Sequence, residues 1–332
     1  MNSMPLFLIL GSNSFAGAAL TRKLLASGHR VIGVSRSPIS IPTFLIVKEC
    51  PGVSNYRFEQ LDINYELDRL EALIDTEKPE FIFDFAGQGM VAESWANPEQ
   101  WLQTNLVSKT KLLEILRRKS WIKKYVRAST PEVYGSHNDK ILENHNYSPT
   151  TPYAITHASV DMMLLAFYAR YDFPCVIGRF ANFYGPGQQL YRIVPKTILT
   201  SKRGLKLPLH GGGLSERAFI YSDDTNSALV SLATLGRPGQ IYNFSSPELV
   251  SIKTLVEMIL KTLGVDFDSH IEVVHERPSK DQKYLMDSAK AKLELDWEPR
   301  IELQDGLSRT IEWFNLYSSY FDQLPLDYSH KP

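Results

Sequence analysis

The sequence is poor in cysteine, in net charge and in long apolar runs. Its two cysteines, Cys50 and Cys175, lie far apart in 332 residues. They exclude a disulfide framework and a thiolate metal site, and a reducing, cytoplasmic setting is expected. Thirty-six Lys and Arg stand against 37 Asp and Glu, a net charge of −1. No global field therefore draws the chain to nucleic acid or to an anionic membrane, and neither partner is expected. No stretch approaches the ~18 apolar residues of a membrane span. The start, Met1 to Pro5, lacks the basic flank of a signal peptide, so a soluble protein is expected. The eight histidines show no paired ligand spacing, and no metal is expected.

What is present is alternation. Short β-rich apolar runs at 6–10, 30–34, 56–60, 81–85, 125–128 and 175–179 are separated by segments of helical period at 18–25, 67–74, 101–116 and 158–168. Strands alternating with helices predict an α/β fold, a doubly wound Rossmann-type parallel sheet covered on both faces. After Tyr184-Gly185-Pro186-Gly187 the texture changes, with Gly204, Pro208 and Gly211 to Gly213 between longer connections and amphipathic helices at 252–263 and 306–317. This C-terminal third is the candidate lid over the crevice of such a sheet. Residues 1–180 read as a dinucleotide-binding domain to which 218–245 return. Residues 181–217 and 246–330 read as a smaller α/β substrate-binding domain.

The first run leads directly into Gly11-Ser12-Asn13-Ser14-Phe15-Ala16-Gly17 and then an Ala-rich helix. A strand, a tight glycine turn and a helix N-terminus make an anion site, because free N–H groups and the positive dipole end converge on a pyrophosphate. Gly11 permits the turn and Gly17 lets the helix approach the strand, while Ser14 stands where the usual spacing has a middle glycine. Asp62, followed by Ile63, is placed to accept from an adenine amino group. Arg36 ends the second strand, where an acidic residue holds a ribose 2′-hydroxyl and an Arg favours a 2′-phosphate. The cofactor expected is NADP or NAD, with the lean to NADP.

Residues 128–135 read Ala-Ser-Thr-Pro-Glu-Val-Tyr-Gly, residues 149–157 Pro-Thr-Thr-Pro-Tyr-Ala-Ile-Thr-His, and residues 179–187 Arg-Phe-Ala-Asn-Phe-Tyr-Gly-Pro-Gly. In these motifs the chain resembles the extended short-chain dehydrogenase/reductases, the group of nucleotide-sugar epimerases and 4,6-dehydratases. The resemblance covers nearly the whole chain. It takes in Phe85-Ala86-Gly87, Asn97-Pro98, Asn105, Arg217 to Asp224, Arg277-Pro278 and Leu295 to Pro299. It implies that Tyr153 takes a proton from a sugar hydroxyl while hydride passes to a nicotinamide, with Thr130 bonded to the same oxygen. It implies cofactor contacts from Gly11, Asn13, Ser14, Phe15, Gly17, Phe85, Ala86, Gly87, Asn105, Tyr153 and residue 157. On the substrate side it implies Asn182, Arg192, Arg217 and Arg277, with Gln88 and Ser94 placed to touch sugar hydroxyls.

Four residues after its Tyr the family carries a Lys that stabilises the phenolate. Here the position is His157, on the same helix face as Tyr153. Imidazole, with a reference pKa of about 6.5, is mostly neutral where Lys is charged. Two expectations follow: a weaker or pH-dependent substitute, or a decayed redox step. Glu132 separates the subclasses, because only a dehydratase must remove a C5 proton and eliminate the C6 hydroxyl. Its match to the family's general base points to a nucleotide-diphosphate-sugar 4,6-dehydratase. Pro131, where other dehydratases have Asp or Ser, cannot protonate the leaving group. An epimerase or reductase, and a silenced cofactor-binding regulator, are the alternatives. By the same resemblance, helices near 101–116 and 156–168 would pair with a second copy's to form a homodimer.

Overall fold

The computed structural model describes residues 4–331 apart from 138, 145 and 276–284. Six apolar runs form the strands β1 (Leu6–Leu10), β2 (Arg30–Ser35), β3 (Tyr56–Gln60), β4 (Phe81–Asp84), β5 (Lys124–Ser129) and β6 (Cys175–Phe180). With the strand Ile241–Phe244 they make a seven-stranded sheet in which every pairing is parallel. From one edge the order is Ile241–Phe244, β6, β5, β4, β1, β2, β3. The chain therefore starts in the middle, winds out to β3, crosses back to β4 and winds out the other way. The reversal lies between β1 and β4, and open α/β sheets bind ligands at the carboxyl ends of the strands at that point. This is the doubly wound fold the alternation predicts.

Strand periodicity decides what each face packs against. Phe7 and Ile9 of β1 share one core with Val31, Phe83, Val126 and Val176, facing α1 (Phe15–Ala26) and the helix Ser222–Thr234. Leu6, Leu8 and Leu10 share the other with Ile82, Tyr125 and Ile177, facing the helices Lys109–Leu116 and Pro152–Tyr171. Fully burying such a side chain contributes roughly 1.5–3 kcal/mol. On this second face the apolar rows end in charge: Asp84, Arg127 and Arg179 continue the rows of Ile82, Tyr125 and Ile177 at the carboxyl ends of β4, β5 and β6.

The predicted helix at 101–116 differs in detail. Its first turn is the helix Pro98–Trp101, its end is Lys109–Leu116, and Leu102–Ser108 between them is a wider π-helical turn. The cause is polar: the wide turn brings Thr104, Asn105 and Ser108 inward. Thr104 and Ser108 bond the side chain of Asn64 at 3.1 and 2.7 Å, and Asn105 donates to Gln88 O and Thr156 Oγ1. Wide turns of this kind recur at functional sites.

After Phe180 a second core forms around Tyr184, Ile198, Phe219, Leu255, Leu307 and Phe314. Small two-stranded sheets join Asn182–Tyr184 to Phe219–Tyr221, Leu207–His210 to Ile271–Val274, and Glu216–Arg217 to Val250–Ser251. Among the described residues no helix is long and apolar enough to cross a membrane, and no group of His, Cys, Asp and Glu is placed to hold a metal ion.

Candidate active site

The glycine turn is built as its sequence requires. Gly11 has φ +79°, and a Cβ there would stand 2.7 Å from the backbone of Phe85 and Ala86 at the end of β4. A Cβ on Gly17 would run into the backbone of Gly11 and Ser12, so only glycine lets α1 lie this close to β1. Ser14, in place of a middle glycine, is the helix cap: its Oγ accepts from Gly17 N at 3.0 Å, and its φ of −71° needs no glycine.

Two cavities meet at this turn and share Ser14 and residues 85–88. The smaller, about 170 Å³, runs along Gly11, Asn13, Arg36, Asp62 and Ile63. The larger, about 520 Å³, opens under the second core and is lined by Phe15, Thr130, Glu132, Tyr153, His157, Asn182, Arg192 and Arg217. Joined, they form a trough from the end of β2 to the start of the long helix.

Thr130 follows β5 and caps the short turn Pro131–Tyr134, accepting from Glu132 N at 3.3 Å. The long helix Pro152–Tyr171 begins with Thr151 capping Ala154 N at 3.1 Å and Pro152 in its first turn. Tyr153 and His157 therefore share one helix face, their rings tilted at 4.4 Å between centroids. Thr130 and Tyr153 line the same cavity, and the Thr130 side chain favours the ionised form of the phenol. Burial, and then the charge of Glu132, push this phenol up to about 12; Thr130, Arg192 and Arg127 pull the other way.

Behind His157 lies a charged cluster that sequence reasoning missed. Arg127 Nη2 is 3.1 Å from His157 Nδ1, and Arg127 Nη1 is 3.2 Å from Asp84 Oδ2. Asp84 also binds Lys109 with both oxygens and accepts from Tyr125 OH at 2.7 Å. Lys109 and Arg127 are only 1% and 2% exposed. Withdrawal from water, and then the charges of Arg127 and Lys109, hold the His157 imidazole well below its ordinary value. Of the expected substitutes, weaker or pH-dependent, these surroundings favour the weaker, because they hold the imidazole in its uncharged form. The available signal was a charged residue inside each of three apolar strands, at Asp84, Arg127 and Arg179. The last pairs with Asp161, one further turn along the same helix face, at 3.0 Å.

Other expected residues serve the site from outside the cavities. Ser94 does not face the sugar side: its Oγ is engaged by Val91 O at 2.6 Å and Tyr153 N at 3.2 Å, holding the helix start. Asn105 is fully buried; besides its two donated bonds it accepts from Gln88 N at 2.7 Å, which fixes the loop after Gly87. Gln88 reaches both cavities, and Arg277 lies outside the described residues. His210, Tyr191 and Lys196 also line the larger cavity. Sequence reading also gave no role to the C-terminal tail. There Lys331 O accepts from Arg36 at 2.7 Å and Gln88 at 3.0 Å, and His330 stacks on Trp101 at 5.1 Å.

Comparison with known proteins agrees with this geometry. The family model described as GDP-mannose 4,6 dehydratase matches residues 8–310. The chain is 33% identical over 264 residues to a trifunctional UDP-glucose 4,6-dehydratase/3,5-epimerase/reductase of Arabidopsis thaliana, covering 78% of this chain and 39% of that protein. It thus spans about two-fifths of the length of that relative. It is 32% identical over 266 residues to the dTDP-D-glucose 4,6-dehydratase of Homo sapiens, covering 78% of this chain and 75% of that one. Among solved structures, the dTDP-glucose 4,6-dehydratase of Streptomyces venezuelae with NAD bound superposes with a TM-score of 0.87 at 27% identity, covering 96% of this chain and all of that one.

Proposed function

This chain belongs to the GDP-mannose 4,6-dehydratase family, and from that premise we propose that it is an NAD(P)-dependent nucleotide-sugar 4,6-dehydratase. The observation that carries the reading is the convergence of Thr130, Glu132 and Tyr153 on one cavity continuous with the glycine turn. The trough suits an extended dinucleotide: Gly11 lets the turn after β1 lie close against the backbone that follows β4, and Ser14 caps a helix whose N-terminus faces both cavities. Bound there, the dinucleotide would accept hydride from C4 of the sugar, return it to C6 and bring a positive ring beside the phenol.

The chain's own residues then move the protons. Tyr153, with Thr130 beside it on the cavity wall, takes the C4 hydroxyl proton as the ketone forms. The ketone acidifies C5, and Glu132 removes that proton. Because Pro131 has no proton to give, Glu132 delivers it to the departing C6 oxygen, and water leaves. As hydride returns to C6 one proton is added at C5 and Tyr153 gives up the proton it took from C4, so the two cancel and the net change is loss of one water. Asn182, Arg192 and Arg217 line the same cavity and suit the diphosphate and sugar. Incubation with GDP-mannose, dTDP-glucose, UDP-glucose and CDP-glucose, followed by mass spectrometry, tests the reading. Loss of one water from one of them is expected; an isobaric isomer, or binding without conversion, would favour an epimerase or a silenced regulator.

For the finer choice of cofactor, Arg36 on the smaller cavity supports NADP, since its guanidinium suits a 2′-phosphate. Arg36→Ala should then weaken NADP binding by about 10–100-fold and leave NAD nearly unchanged, a charge-assisted bond contributing roughly 1.5–3 kcal/mol. Calorimetry showing the wild type to bind NAD at least as tightly as NADP removes that role.

We propose a homodimer as well, and what the two helices leave outside supports it. Leu102, Val107, Ile155 and Met162 are large apolar side chains exposed on the wide turn and the long helix, an arrangement suited to a four-helix bundle between two copies. Light scattering should give twice the chain mass for the wild type and the single mass for Met162→Lys. A monomeric wild type at micromolar concentration rules the dimer out.

A further inference from the structure

We propose that Arg127 is a positioning residue of the redox step: it holds His157 as the Nε2–H tautomer and supplies, from behind the imidazole, the positive charge a lysine at that position would bring. The proposal rests on the reading of Tyr153 as the base.

A guanidinium has donors only and stays protonated at any working pH. With Arg127 Nη2 at 3.1 Å, His157 Nδ1 has to accept, so the single ring proton is on Nε2. A second proton would set two donors against each other. The imidazole is therefore neutral, and its remaining N–H is the group it offers to the cavity it lines.

Arg127 is held in this pose from the other side. Parallel register sets Asp84 opposite Arg127, and Asp84 binds the guanidinium through Nη1. The same carboxylate binds Lys109, whose ammonium burial and then the charge of Arg127 push down to about 7, so Arg127, bonded to Asp84 on one side and His157 on the other, is the member that stays a cation at any working pH. The charged groups acting on the Tyr153–His157 pair are Arg127 on β5, Lys109, Glu132 in the turn after Thr130, and Arg192 before the helix Ile193–Lys202, while Asp84 on β4 and Asp161 on the long helix act on Arg127. Arg192 is exposed and screened by salt, whereas Arg127 is buried and is not. Arg127 is thus the cation that acts on the phenolate irrespective of ionic strength, with the neutral imidazole between them.

Nitrogen-15 NMR of histidine-labelled full-length protein reads the tautomer directly, with His157→Gln used only to assign the signal. His157 should show a protonated Nε2 and a bare Nδ1, unchanged between about pH 5.5 and 8.5, where an ordinary histidine titrates. A protonated Nδ1, or titration near the ordinary value, overturns the proposal without any variant having to fold. In kinetics, Arg127→Gln should lower kcat by ~10–100-fold and move the basic group of the kcat profile up by about one pH unit, equivalent to tenfold in phenolate. KM and cofactor affinity should change little. Adding His157→Lys to Arg127→Gln should restore both the rate and the profile, which a merely structural role would not permit. An inactive Tyr153→Phe beside an Arg127→Gln enzyme with an unshifted profile sinks the role of Arg127 alone. Full turnover in Tyr153→Phe removes the premise and the proposal with it.

Discussion

Glu132→Gln is expected to stop the release of water while leaving hydride transfer at C4 possible. The amide fills the same volume and keeps the turn Pro131–Tyr134, whose cap uses the backbone N–H of residue 132 and not its side chain. What is lost is, among the described residues, the only carboxylate lining the cavity. With Pro131 beside it there is no neighbouring acid to take over the C5 proton or the leaving hydroxyl. Formation of 4-keto-6-deoxy product should fall by ~10²–10⁴-fold, the range for a lost general base or acid. A slow rise in absorbance of the reduced nicotinamide should persist when substrate is added. Unchanged product formation would remove Glu132 from the chemistry and turn the reading toward an epimerase.

The second large effect is at Tyr153. Removing its hydroxyl in Tyr153→Phe keeps the ring packing against His157 but leaves the C4 hydroxyl without a base, and a loss of ~10²–10⁴-fold in kcat is expected. Cofactor affinity should change little, because the glycine turn lies on the other side of the trough. The sign of the pH dependence follows from the surroundings. In the protein alone, burial and Glu132 hold the phenol near 12, so it is protonated at neutrality. Turnover should therefore rise with pH through the apparent value of the complex, which the charges of Arg127, Arg192 and the bound cofactor bring down. A rate that falls across pH 6 to 9 would contradict a phenolate base.

The sheet was legible because parallel strands buried on both faces read as unbroken apolar runs, and helices between them carry their own period. Thr130, Glu132, Tyr153 and His157 were recognisable because the segments 128–135 and 149–157 that carry them resemble the family's motifs. The cluster behind them was not. Asp84, Lys109 and Arg127 are 25 and 18 residues apart in turn, and only the register of β4 on β5 makes them partners. In a linear reading each is one charge among many. The wide turn at Leu102–Ser108 escaped for a different reason: one extra residue in a helix barely disturbs the apolar period, while it redirects Thr104 and Asn105 inward. Ser94 reads as a loop hydroxyl until the bond to Tyr153 N shows it holding the helix start. The segment around Lys331 has no motif, and the Lys331 carbonyl meets Arg36 and Gln88 only through the fold.

The central claim is that one hydride leaves C4 and comes back to C6 of the same sugar as water departs. A nucleotide sugar deuterated at C4, chosen from the substrate screen, tests it in a single incubation analysed by mass spectrometry and NMR. The account predicts a product lighter by one water that carries the deuterium in its C6 methyl group. Deuterium still on C4 of an isobaric sugar, or lost from the product altogether, would contradict it.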